Sequence, residues 1–67
     1  MNNNELAPET IEAAIANDQA AIVTLKKMSL EALMAGNRVR SNELEQMADA
    51  AMRIVQFRLL LLHAITN

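Results

Sequence analysis

Apolar residues recur at helical spacing along most of the chain and never alternate for long. The main stripe of the first half runs Ile11, Ala14, Ile15, Ala21, Ile22, Leu25, Met28 and Ala32. That is the recurrence of an amphipathic helix, interrupted at Asp18 and Ser29. A second, milder stripe holds Ala16, Ala20, Val23, Leu30 and Met34, with Lys27 among them. In the second half, Leu44, Met47, Ala48, Ala51, Ile54, Val55, Leu62 and Ile65 share one face, with Arg58 inside it and Leu59 beside it. A second face carries Ala50, Phe57, Leu61 and Ala64. The polar strip Glu45, Asp49, Arg53, Gln56 gives way to Leu60 before resuming at His63. Residues 54–65 are therefore apolar on nearly every side of a helix, and such a helix must be surrounded.

The punctuation agrees with two helices. The single Pro and single Gly stand at Pro8 and Gly36. Proline fits the first helical turn, where its missing N–H is harmless. Glu9 and Glu12 follow in the region that the helix dipole favours for acids. Ala7 is a poor N-cap, so Asn4 is an alternative start. Gly36 after Met34 and Ala35 reads as a C-terminal glycine in the left-handed conformation. Ser41 and Asn42 offer caps for a second helix, and with Asn42 as the cap Glu45 falls at the capping-box position. The spacing predicts helix 1 over about 8–35, a turn over 36–41 and helix 2 over about 42–65. Each is roughly 35–42 Å long at 1.5 Å per residue, and the short loop makes them antiparallel neighbours. Asn17–Asp18 is the weakest point of helix 1, suited to a kink or a break. The expected fold is all-α: one domain, residues 1–67, an antiparallel two-helix hairpin with room for a short extra N-terminal helical turn. With Phe57 the sole aromatic residue and no sustained alternation, strands are not expected.

Composition narrows the chemistry. Cysteine is absent, which removes disulfides and thiolate zinc sites. The lone His63 with scattered carboxylates makes no metal cage, and neither a metal nor a cofactor is expected. Gly36 alone forms no phosphate-binding loop. No nucleophile–histidine–acid signature stands out, and two helices do not readily enclose a substrate pocket of a few hundred Å³. Catalysis is therefore not expected, and His63 reads as a polar tip near a helix C-terminus. The net charge of −2 does not attract nucleic acid. Acids dominate residues 1–25, while Lys26, Lys27, Arg38 and Arg40 cluster near the middle. Dipole complementarity along helix 1 is the plain reading of that asymmetry. Asp49 and Arg53 are spaced for an i,i+4 pair. The polar, acidic start does not resemble a secretory signal. The apolar run, broken by Gln56, Arg58 and His63, falls short of the ~18 residues needed to span a bilayer. The expected setting is the cytoplasm, without membrane insertion.

Two apolar stripes per helix exceed what a two-helix hairpin covers. One closes the hairpin; the other is left for a partner. Alanines permit close helix approach, and Met28, Met34, Met47 and Met52 supply adaptable contacts. The first reading is an adaptor in a heteromeric complex. The alternative is a homodimeric four-helix bundle, structural or regulatory. One version is a Rop-like RNA binder using Lys26, Lys27, Arg38 and Arg40, although aromatics for base stacking are nearly absent. A membrane-surface helix ranks last, because Arg53 and Arg58 are too few for a basic polar face.

Several segments carry a resemblance: Ile22-Val23-Thr24-Leu25-Lys26-Lys27, Met34-Ala35-Gly36 before the turn, Glu45-Gln46, and the block Ile54 to Ile65. With these, over roughly residues 10–65, the chain resembles the small co-chaperones of bacterial type III secretion needle subunits, the YscE/PscE/SsaE type. The likeness is one of architecture, without a signature motif. It implies a cytoplasmic helical hairpin that binds a tetratricopeptide-like (TPR-like) chaperone. That pair holds the needle subunit before export, the co-chaperone mainly supporting its chaperone. No catalytic residues carry over. The positions that the resemblance assigns to the chaperone contact are Val23, Leu30, Met34, Phe57, Leu60, Leu61 and Ala64.

Overall fold

A computed structural model describes residues 7–66 of the chain. Two helices fill them: α1 over Pro8–Met34 and α2 over Arg38–Thr66, packed antiparallel as a hairpin. The outline is a rod of 48 × 20 × 16 Å with a radius of gyration of 15.1 Å. A globular chain of this length would have about 11 Å. Elongation follows from having two helices among the described residues, with no third element there to cover their outer sides.

α1 begins as the proline suggests. Ala7 is extended and makes no side-chain cap. Its carbonyl accepts from the N–H groups of Thr10 at 3.0 Å and Ile11 at 3.1 Å, so backbone alone closes the first turn. The alternative start at Asn4 and the extra N-terminal turn lie outside the described residues. Asn17–Asp18 produces no break, and α1 is continuous through it. Short polar side chains weaken helices by competing for their own backbone. Asp18 does not compete in this way, because its carboxylate bonds Arg58 on α2.

α1 ends in a Schellman motif. Asn37 N–H donates to the Ala32 carbonyl at 2.8 Å and Gly36 N–H to the Leu33 carbonyl at 2.9 Å. Gly36 takes the left-handed conformation this closure needs, with φ 82°, where an L side chain is strained. The second helix then starts earlier than the spacing predicts, at Arg38 rather than 42. Asn37 is the reason. Its side-chain Oδ1 accepts from Arg40 N–H at 3.0 Å, and its carbonyl accepts from Ser41 N–H at 3.0 Å. Ser41 and Asn42 are thus interior to α2, and Glu45 forms no capping box.

The dipole reading of the charges holds at one end only. Glu9 stands in the first turn of α1, but the last turn contains no basic residue, and the first turn of α2 contains no acid. Instead α2 opens on Arg38 and Arg40, the sign that a helix N-terminus disfavours. Arg40 is offset by Glu43, 3.6 Å away. Asp49–Arg53 is not among the ion pairs formed between described residues.

The buried seam is narrow. At the open end Ile11, Ile15 and Val55 are buried, with Ile22, Leu61 and Leu62 packed against them. Nearer the turn Leu44 and Ala48 are buried, the small Ala48 allowing close approach. Ala21, Met28, Met47, Ile54 and Ile65, which the periodicity places on the main stripes, are exposed. A single neighbouring helix covers less of each stripe than the sequence pattern spans.

Candidate functional site

The two flanks of the hairpin differ in chemistry, and the buried seam identifies them. Successive residues in a helix are rotated by ~100°. A residue just after a buried position therefore lies on one flank, and a residue just before it lies on the other. Lys26 follows half-buried Leu25 and Glu45 follows buried Leu44. These two side chains pair across the helices at 2.8 Å, so the flanks formed by following residues face the same way. Thr10, Ala14, Ile54, Phe57 and Leu61 all precede seam residues, and together with Ile11 and Arg58 they line one groove of about 360 Å³. The flanks formed by preceding residues therefore share the opposite side.

The first flank holds an internally bonded polar network around Lys26 and Glu45, and it also exposes Val23, Leu30, Leu33, Met52 and Leu59. Ser29 and Ser41 are buried at the seam. Ser29 Oγ lies 2.9 Å from Ser41 Oγ, 3.1 Å from the Ser41 carbonyl and 3.1 Å from Glu45 Oε2. Glu45 Oε1 accepts from Lys26 Nζ at 2.8 Å. Bonds from Lys26 and then Ser29 hold the Glu45 carboxyl below its ordinary range. The Glu45 carboxylate in turn raises Lys26. Every buried polar side-chain atom among the described residues has a hydrogen-bond partner. The basic cluster near the turn is accordingly divided: Lys26 belongs to Glu45 and Arg40 to Glu43.

The second flank is uncharged along most of its length. On α1 it presents Thr10, Ala14, Asn17, Ala21 and Met28; on α2 it presents Met47, Ala50, Ile54, Phe57 and Leu61. Phe57 is 65% exposed, although it is the chain's sole aromatic residue. Arg58 at the groove floor is bonded to Asp18. The groove is open and mostly apolar, a place for aliphatic and aromatic side chains. Among the described residues no three His, Cys, Asp or Glu side chains group to hold a metal ion, and no helix is long and apolar enough to cross a membrane.

The structure separates the seven residues that the resemblance assigns to a contact. Phe57 and Leu61 stand on the uncharged flank, Leu61 partly drawn into the core. Val23 and Leu30 follow Ile22 and Ser29, so they stand on the polar flank. Met34 lies at the turn end, 78% exposed, while Leu60 and Ala64 lie on the outward side of α2. The two stripes read from sequence therefore do not form one surface. Ala14, Ala21, Ile54 and Met47, taken from the sequence as hairpin-closing, join Phe57 instead. The signal for this was their place one residue before a seam position. Compared with models of protein families, with curated proteins and with solved structures, the chain matches none.

Proposed function

We propose that this chain is a non-catalytic adaptor that docks on another helical protein through the flank carrying Ile54, Phe57 and Leu61. The observation that carries this reading is that flank: Ile54 and Phe57, bulky apolar side chains exposed beside an open groove outside the buried core, with Leu61 half-buried next to them. A phenyl ring left in water forgoes burial worth ~1.5–3 kcal/mol. Large aromatic side chains are typical anchors of protein interfaces.

In its specific form the proposal follows the resemblance. The chain acts in the cytoplasm as a co-chaperone, binding and stabilising a TPR-like chaperone that holds a type III secretion needle subunit before export. Physical shape supports this version. Helical-repeat proteins present extended concave surfaces, and a straight rod 48 Å long and 16–20 Å across suits such a cradle. The polar, internally paired flank would remain toward solvent.

Co-expression with the needle-subunit chaperone of the same cell tests the proposal. The expected result is a stoichiometric complex that raises the soluble yield of the chaperone, lost in Phe57→Glu. A chaperone that stays soluble and unbound beside folded hairpin would overturn the specific form. Undiminished capture by Phe57→Glu would overturn the assigned surface.

A further inference from the structure

We infer that, in the chain free of other proteins, the uncharged flank is covered by a second copy of the same hairpin, with each α1 lying over the α2 of the other copy. This inference needs no particular heteromeric partner; a chaperone taking the same flank would have to displace the second copy.

Three observations carry it. First, the flank is complementary to itself. At two levels its α1 side is small, Ala14 and Ala21, where its α2 side carries the large Phe57, Leu61 and Ile54; Met28 and Met47 stand together nearer the turn. Ala14 lines the same groove as Phe57 and Leu61, so these residues stand at one height along the rod. Ala21 stands level with Ala50 and Ile54, and Met28 with Met47. A two-fold axis parallel to the helices preserves height and exchanges α1 with α2. It sets Ala14 against the second copy's Phe57 and Leu61, and Ala21 against its Ala50 and Ile54. Small then meets large, the pattern that fills a helix interface without voids. The other two-fold arrangement, α1 on α1, inverts height: with the axis at Ala21 it sets alanine against alanine there and Phe57 against the second copy's Met47.

Second, the area suits a weak, concentration-dependent dimer. The uncharged stretch from Thr10 to Met28 is about 27 Å long at 1.5 Å per residue; across the 20 Å width its outline is roughly 500 Å², at the low end of protein interfaces. Third, the charges permit it. Each copy carries a net charge of −2, but none of it stands on this flank between Thr10 and Met28 or between Met47 and Leu61. Asp18 and Arg58, at its inner edge, neutralise each other within one copy. A lipid surface is a poorer occupant, because the flank offers no free row of Lys or Arg to meet headgroups.

The test is the mass of the full chain by sedimentation equilibrium over a concentration series, beside two variants. The mass of the wild-type chain is expected to rise toward twice 7.4 kDa as concentration increases. Ala21→Glu, at an exposed position, is expected to stay helical and weaken the dimer by about 100-fold or more, because it buries an uncompensated charge. Gln19→Glu adds the same charge on the polar flank and is expected to leave the dimer unchanged. A wild-type chain that stays monomeric at every concentration overturns the inference, as does a dimer indifferent to Ala21→Glu. Orientation is read separately, in a chain free of native cysteine. In a mixture of Ala21→Cys and Ala50→Cys chains, a short thiol crosslinker is expected to join unlike chains in preference to Ala21→Cys with itself. Preference for the like pair overturns the α1-over-α2 arrangement.

Discussion

Ser29 of α1 and Ser41 of α2 meet hydroxyl to hydroxyl at 2.9 Å inside a seam whose other buried residues are aliphatic. A buried hydroxyl without a partner is costly, so this contact favours the one register that brings both serines level. Glu45 extends the contact outward, accepting from Ser29 at 3.1 Å. Ser29→Ala leaves the Ser41 hydroxyl and one Glu45 oxygen each a partner short. The expected loss is about 1–2 kcal/mol, a fall in Tm of roughly 4–8 °C per kcal/mol for a domain this small. Thermal unfolding followed by circular dichroism measures it. An unchanged Tm would mean that the hydroxyl pair does not contribute to stability.

The Lys26–Glu45 pair predicts a pH dependence with a defined sign. Glu45 is held below its ordinary value of 4.5, chiefly by the bond from Lys26. Its contribution to stability is therefore complete above that value and is lost as pH falls through the lower, folded one. Lys26 is held above 10.5 by the same bond, so its contribution is complete below 10.5 and is lost as pH rises through the folded value. Glu45→Gln should flatten the acid limb below about pH 4.5 and leave stability between pH 6 and 8 nearly independent of pH. Urea unfolding midpoints from pH 3 to 8 check this. An acid limb as steep in the variant as in the wild type would assign the loss to other carboxylates.

Gly36 adopts φ 82°, and a methyl group added there meets nothing within 4 Å. The cost of Gly36→Ala is therefore conformational, about 1–2 kcal/mol, with no steric contribution from neighbours. Gly36→Asn should recover part of it, since asparagine tolerates the left-handed region better than alanine. Equal stability of the alanine variant and the wild type would contradict the strained closure.

Much of this was legible beforehand, and the residues that misled did so for physical reasons. Pro8 and Gly36 mark real boundaries because each has a backbone preference that operates locally. Asn37 is hidden as a cap because Gly36 directly before it reads as a helix end. It serves both helices, closing α1 through its N–H and opening α2 through its Oδ1. Ser29 and Asp18 looked like interruptions in an apolar stripe. Both are seam residues whose polar groups are satisfied from the other helix, a long-range fact that periodicity does not carry. The stripes themselves were visible, but the division of exposed apolar residues between two flanks was not. Helical spacing shows which residues of one helix share a face, whereas the pairing of Lys26 with Glu45 shows how the faces of two helices combine.

The Asp18–Arg58 pair joins residues 40 positions apart beside the aliphatic cluster at the open end. Removing one partner leaves a half-buried charge without its counterpart, so Asp18→Ala is expected to cost about 1–3 kcal/mol. Replacing both with leucine removes the charges together. The double variant should lie within about 1 kcal/mol of the wild type or above it. A double-mutant cycle in urea separates the pair from its parts. A double variant as unstable as both single losses combined would show that the two side chains act independently.

Phe57 and Val55 stand two residues apart on α2 and predict opposite outcomes for the same substitution. Val55 is 7% exposed within the cluster formed with Ile11 and Ile15. Phe57 is 65% exposed. Val55→Asp places a carboxylate in the seam and should unfold the hairpin, since an unpaired buried charge costs several kcal/mol against the small total stability of a chain this size. Phe57→Asp faces water in the single hairpin and should leave its helicity intact, shifting the hairpin's own stability by no more than about 0.5 kcal/mol. The flank that carries Phe57 is the one assigned to docking. Any larger loss of stability in Phe57→Asp should therefore grow with protein concentration, as linkage to association requires. Circular dichroism melts of both variants at two concentrations, well separated, decide the matter. A Phe57→Asp chain unfolded at every concentration would place that ring in the hairpin's own core and withdraw it from the interface.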